Sequence, residues 1–217
     1  MSTAIAYILS LVLIGVSFIA SIYVYPMLPS EIAVHWNGAG QVDGYGNKFI
    51  GLFLFPAIAT IVFLFLVIVP YIDPFRENFK KFRKEYNLSI VLMVFTFMFF
   101  NALSLAWNLG IRFNFARAAA PMLGMMFFIM GTILPRTKRN WFFGIRTPWT
   151  ISSDMVWEKT HKIGGLIFKV SGIIAMFGIL VPADFAFVVA IVPLAVSLVW
   201  LIIYSYILFR KERSSQQ

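Results

Sequence analysis

The sequence predicts an all-α polytopic membrane protein: six transmembrane helices, N and C termini cytoplasmic, and a small turn-rich outer loop after the first helix. Three observations lead there. Hydrophobic residues make up 60% of the 217, and mean hydropathy is +0.85, more apolar surface than a soluble domain of this size can bury. Six apolar runs approach or exceed the ~20 residues that cross a ~30 Å hydrocarbon core. The third observation is where the charges fall. With six spans, segments 72–87, 135–162 and 210–217 share one face and carry 14 of the 18 Lys and Arg residues. The other face holds Lys48, Arg112 and Arg117, while Lys169 lies within the fifth span, its stem free to snorkel. The positive-inside rule then assigns the cation-rich face, with both termini, to the cytoplasm of a multi-pass plasma-membrane protein. The net charge of +9 is thereby a topology signal, and no nucleic-acid partner is expected.

In order, the spans are read as Ala4–Tyr25, Phe49–Tyr71, Leu88–Leu109, Ala118–Leu134, Ile163–Val181 and Phe185–Phe209. The first is a span rather than a cleaved signal: no basic residue precedes it and its apolar run is too long. Tyr25-Pro26 and Pro29 end it. The outer loop SEIAVHWNGAGQVDGYGNK follows, with alternation over Ile32–Trp36 and the turn dipeptides Asn37-Gly38 and Asp43-Gly44, consistent with a small hairpin. His35, Asn37, Asp43 and Glu31 are placed to converge in it. One imidazole with carboxylates is a poor metal set, so no metal is expected, and Asn37 and Asp43 read as turn residues bonded to backbone.

After the second span, Phe75, Phe79 and Phe82 recur at helical spacing among Arg76, Lys80, Lys81, Arg83 and Lys84, with Tyr86 continuing the apolar side. This predicts a basic amphipathic helix lying in the membrane interface. The third span carries Asn101 and Asn108, seven apart on one helix face. Asparagine in lipid needs a partner, so this face points into the bundle, as glue between helices or as the wall of a polar path. No Asp or Glu falls inside a span, which argues against proton-coupled transport.

The longest polar interval, Pro135–Gly165, reads PRTKRNWFFGIRTPWTISSDMVWEKTHKIGG. Its basic and aromatic residues suit a membrane boundary, but its punctuation demands more. Gly144 is permissive, Pro148 restricts Thr147, Ser152 or Ser153 reads as an N-cap, and Asp154 complements the dipole of the helix that follows. Glu158 and Lys162 are spaced as an i,i+4 pair, and Gly164-Gly165 admits a neighbouring backbone. These features predict a shaped knot, with Arg146 bonding nearby carbonyls, instead of a plain connector.

Two stretches resemble a known family. The run GIRTPWTISSDMVWEKTHKIGG, preceded by LPRTKRNWF, resembles the signature of the SdpI family of bacterial and archaeal membrane proteins, over roughly residues 122–205. LPSEIAVHWNGAGQVDGYGNK is similar to the module of unknown function that precedes that signature, over roughly residues 10–60. The resemblance implies one six-helix domain, 1–217. It implies immunity to, or sensing of, a secreted antimicrobial peptide, with inward signal transduction through 135–165. Its implied partners are membrane lipid, an extracellular peptide and a cytoplasmic regulator. Arg139, Trp141, Gly144, Arg146, Thr147, Pro148, Trp149, Trp157 and His161 match the signature. His35, Trp36, Gly40, Asp43 and Lys48 match the outer module, and Asn37 joins them as a candidate binding residue. Two other readings compete: a small-solute or lipid transporter using Asn101 and Asn108, and an intramembrane enzyme. The enzyme reading has little to stand on. There is no cysteine, no HExxH and no GxSxG, and the two histidines fall on opposite faces. Neither catalytic residues nor a cofactor are expected.

Overall fold

The structure is a computed structural model that describes residues 1–215; Gln216 and Gln217, the end of the polar tail, lie outside the described residues. Six helices are long and apolar enough to cross a membrane. They are α1 (Thr3–Val24), α2 (Lys48–Ile72), α4 (Arg83–Asn108), α5 (Phe115–Ile133), α7 (Asp154–Met176) and α8 (Ala183–Ser214). Between them lie a two-stranded antiparallel hairpin, β1 (Glu31–Trp36) and β2 (Val42–Asn47), and two short helices, α3 (Arg76–Lys81) and α6 (Pro148–Ser152).

The spanning helices form two groups of three. In one, α4 packs on α1 and α2; in the other, α7 packs on α5 and α8; α4 and α5 join the groups. α1 shows what such helices bury. Ser2 caps it by accepting from Ile5 N–H, and its buried positions are Ala6, Ser10, Ile14, Ser17, Ser21 and Val24, spaced three or four apart. Ile8, Val12, Val16 and Ile19 face outward. Lipid is as apolar as isoleucine, so the large aliphatics gain nothing by turning inward. The small and hydroxylated residues turn inward because they allow close approach and hydrogen bonding.

The α5–α7 contact is built on glycine. A Cβ on Gly124 would lie 2.6 Å from the Gly172 carbonyl, and one on Gly131 would lie 2.7 Å from that of Gly165. The two glycine pairs are seven residues apart on each antiparallel helix, so the backbones touch over two turns.

One expectation is corrected here. The stretch from Phe75 is not a helix floating in the interface. The chain forms α3, breaks at Phe82 (φ −130°, ψ 31°) and re-enters helix at Arg83. Phe79, Phe82 and Tyr86 are at most 1% exposed. They are covered by protein, because Phe143 from the 135–162 segment stacks on Phe82 and meets Tyr86 edge-on. The N-cap expected at Ser152 or Ser153 is Ser153, which accepts from Val156 N–H, and α7 runs unbroken from Asp154 past His161 into the fifth span.

Candidate functional site

Two caps close the bundle at opposite ends, and each touches both helix groups. At the hairpin end, Ala33 in β1 exchanges hydrogen bonds with the Asn108 side chain, its N–H donating to Oδ1 (2.9 Å) and its carbonyl accepting from Nδ2 (3.0 Å). Asn108 thus extends the strand edge onto α4. The hairpin turn reaches the second group through Asn114, the N-cap of α5. Its Oδ1 accepts from Arg117 N–H and its Nδ2 donates to the Ala39 carbonyl (2.6 Å). Gly40, at φ +72°, lies against Asn114, and its carbonyl accepts from Phe115 N–H (3.2 Å). A side chain would clash there, and only glycine adopts that backbone without cost.

The expected outer-loop residues divide by role. Asn37 Oδ1 accepts from Ala39 and Gln41 N–H (3.0 Å each), which is turn chemistry. His35 Nδ1 meets Asp43 Oδ1 at 2.5 Å, with both side chains exposed; Glu31 stands away, opposite Asn47 in the ladder. Lys48 caps the end of α1, its Nζ donating to the Tyr25 and Leu28 carbonyls (3.3 and 3.1 Å) over the Tyr25 ring. Trp36 stacks on Phe115, ring centroids 4.2 Å apart, above a 360 Å³ cleft that reaches Phe100, Leu123 and Phe187. Asn101 lies deeper, donating to Ser17 Oγ (2.7 Å) between α4 and α1, in a separate network from Asn108.

At the other end the 135–162 segment folds into a knot around three fully buried polar side chains. Asn140 is 0% exposed. Its Oδ1 accepts from Phe142 and Phe143 N–H (3.0 and 2.6 Å), and its Nδ2 donates to the Lys138 and Phe143 carbonyls (2.8 and 2.9 Å). His161 receives the Ile145 N–H at Nε2 (2.9 Å) and donates Nδ1–H to the Trp157 carbonyl (2.8 Å). Both contacts are satisfied together only by the neutral Nδ1–H tautomer. The imidazole also stacks on Trp157, centroids 4.0 Å apart, and the Trp157 indole donates to the Thr137 carbonyl (3.2 Å). Gly144 sits at φ +113°, and a Cβ there would lie 2.5 Å from His161 Nε2. Thr150, the third, donates its hydroxyl to the Ile145 carbonyl (2.9 Å) and accepts from Thr147 N–H (2.8 Å) in a capping box that starts α6 at Pro148.

The knot is pinned to both helix groups. Asp73, 2% exposed at the end of α2, accepts from Phe75 N–H (2.6 Å) through Oδ1 and from Trp141 N–H (2.8 Å) through Oδ2. Asn78 Nδ2 donates to the Arg139 carbonyl (2.8 Å). On the other side Thr147 Oγ1 meets Ser205 Oγ (3.1 Å), Trp149 packs on Tyr206 and Ser153 Oγ donates to Glu212 (2.9 Å), all on α8. Glu158 does not pair with Lys162 as its spacing suggested; it takes Lys138 Nζ at 2.7 Å, because the knot folds Lys138 back over the first turns of α7. Arg139 lies 3.0 Å from Asp154 with its N–H poorly aligned, while its guanidinium sits over the Phe75 ring.

Of the signature residues, Gly144, Thr147, Trp157 and His161 build the knot. Arg146, with Nη1 donating to the Trp141 carbonyl (2.8 Å), and Trp141, 48% exposed, present an outward face over a 440 Å³ hollow with Pro148 and Ile151. Asp73, Asn140 and Thr150 escaped the sequence reading. An Asp just after a predicted span is the one signal that pointed to Asp73; nothing local marks Asn140 or Thr150, whose partners are backbone groups brought together by the fold. Among the described residues no cluster of three His, Cys, Asp or Glu side chains is placed to hold a metal.

Residues 136–205 match the SdpI/YfhL protein family, and residues 12–60 match a domain of unknown function, DUF1648. Over 209 residues, 96% of this chain and 98% of the other, the sequence is 23% identical to Immunity protein SdpI of Bacillus subtilis (strain 168). No solved structure matches the chain.

Proposed function

We infer, from the premise that this chain is a multi-pass SdpI-family membrane protein with an N-terminal DUF1648 domain, that it acts in immunity to a secreted antimicrobial peptide, sensing the peptide at the hairpin end and reporting inward through the knot. The cation distribution supports a basic end that faces the cytoplasm with the knot and a hairpin that faces outward.

One observation carries this reading: each cap bridges the two helix groups, the hairpin between α4 and α5 and the knot between α2 and α8. A peptide that lodged in the 360 Å³ cleft under Trp36 would touch α4, α5 and α8 together. Any relative shift of the groups that it favoured would be met at the other end by a knot fastened to α2 through Asp73 and to α8 through Thr147. A ligand moves such an equilibrium only by its difference in affinity for the two arrangements. The cleft, shared between the groups, provides that difference. The exposed Trp141 and Arg146 offer the face a cytoplasmic regulator would read. Polar traffic through the bundle has less support, since Asn101 and Asn108 are held in separate hydrogen-bond networks.

The test is photocrosslinking in native cells from Tyr45 and from Trp141. Tyr45 adducts should contain a secreted peptide, and Trp141 adducts a cytoplasmic protein. The double variant W141A/R146A should abolish protection against the peptide while membrane levels stay normal. Adducts with lipid alone at both positions, or protection undiminished in the variant, would refute the reading.

A further inference from the structure

At the basic end, the last turn of α2 and the short α3 enclose a hollow of 420 Å³. Pro70, Tyr71 and Phe79 supply apolar wall; Arg76, Glu77, Lys80 and Arg83 supply charge, three cations against one carboxylate. The carboxylate is engaged, because Glu77 pairs with Lys80 at 2.6 Å, both side chains largely exposed, a contact of the weak solvent-screened kind. Arg83 is held in place without being neutralised: Nε donates to Thr3 Oγ1 (3.2 Å) and Nη2 to the Tyr7 hydroxyl (3.1 Å). Arg76 makes no side-chain hydrogen bond or ion pair among the described residues. The hollow therefore holds oriented, uncompensated positive charge.

A second feature runs into it. Ile61, Phe65, Ile68 and Tyr71 recur every three or four residues on α2, and each is between 48% and 70% exposed. This apolar stripe runs along the half of α2 nearer the basic end and finishes at Tyr71, in the wall of the hollow. Positive charge at the end of a spanning helix, continuous with an exposed apolar stripe below it, has the polarity of one phospholipid molecule.

The geometry points to a bound anionic glycerophospholipid, its phosphate among Arg76, Lys80 and Arg83 and an acyl chain along the Ile61–Tyr71 stripe. A zwitterionic lipid brings its own cation into a site that already has three, and a free phosphate leaves the stripe unused. Basic pockets at the ends of spanning helices take such headgroups through the same attraction that draws polybasic segments to anionic leaflets. The site lies on the first helix group, shares no lining residue with the cleft or with the Trp141–Arg146 hollow, and does not depend on the peptide reading.

Native mass spectrometry of the full chain in mild detergent tests it, with phosphatidylglycerol as probe and phosphatidylcholine and inorganic phosphate as competitors. The wild type should retain phosphatidylglycerol against both. The double variant R76Q/K80Q should lose roughly thirtyfold in apparent affinity, as expected for two cations facing an anionic lipid. K84Q/K211Q removes the same charge from exposed positions outside the hollow and should change affinity less than threefold. R76K/K80R keeps the charge and should bind as wild type. Equal losses in both Gln double variants would reveal a diffuse field and overturn the site. Displacement of the lipid by inorganic phosphate, or equal retention of phosphatidylcholine, would overturn the lipid assignment.

Discussion

His161 Nε2 accepts the Ile145 backbone N–H at 2.9 Å, and that one bond closes the knot onto α7. It fixes the tautomer, places the imidazole flat on Trp157 and leaves no room for a side chain at Gly144. The Gly-Ile-Arg-Thr-Pro run is therefore shaped around a histidine 16 positions beyond its isoleucine.

Replacing His161 tests that closure. His161→Phe keeps the ring stack but leaves the Ile145 N–H and the Trp157 carbonyl without their partner, at an expected cost of about 2–3 kcal/mol. His161→Gln, which can still offer an acceptor, should lose less. Thermal melting in detergent would rank the two; equal melting temperatures for both variants and the wild type would show that the bond contributes nothing.

Gly144→Ala should destabilise by roughly 2–3 kcal/mol, since it combines a left-handed backbone with a clash on the imidazole. Gly15→Ala is the control. Nothing lies within 4 Å of a Cβ there, and the change should stabilise α1 by about 0.5–1 kcal/mol.

Asp73 and Asn140 should behave as structural anchors. Asp73→Ala strips the acceptor from Trp141 N–H, at an expected cost of about 1–3 kcal/mol, whereas Asp73→Asn can keep one acceptor oxygen and should cost less. Asn140→Ala orphans two buried N–H groups and should cost more than either. In each case the 135–147 backbone should exchange its amide hydrogens faster, and unchanged exchange would mean that the knot is held by other contacts.

Gly131→Leu should separate α5 from α7. Its side chain meets the Gly165 carbonyl and the Lys169 backbone, and overpacking of this kind costs about 1–3 kcal/mol or more. Thermal melting in detergent should show the loss, and an unchanged melting temperature in the Leu variant would mean that α5 and α7 do not depend on this close approach.

Sidedness is open to direct measurement because the chain has no cysteine of its own. Tyr45→Cys should react with a membrane-impermeant maleimide added to intact cells, and Trp141→Cys only after the cells are opened. The reverse pattern would invert the assigned orientation.

What could be read without a structure followed from effects that add up along the chain. Hydropathy summed over ~20 residues located every span, because each helix must satisfy its own backbone in lipid whatever its neighbours do. Gly144, Pro148 and Ser153 announced a shaped segment for the same reason: their backbone limits are local. The resemblance was legible in those same residues. Pairing was not legible. Glu158 chose Lys138 over Lys162, which is nearer in sequence, Phe82 and Tyr86 were sheltered by Phe143 and not by lipid, and Asn140 and Thr150 found backbone partners that no spacing marks. Nor could hydropathy tell which face of an all-apolar helix turns inward. In a bilayer that choice falls to small and hydroxylated residues such as Ser17, Ser21 and Gly131, whose worth depends on what approaches them, and only the packed bundle decides that.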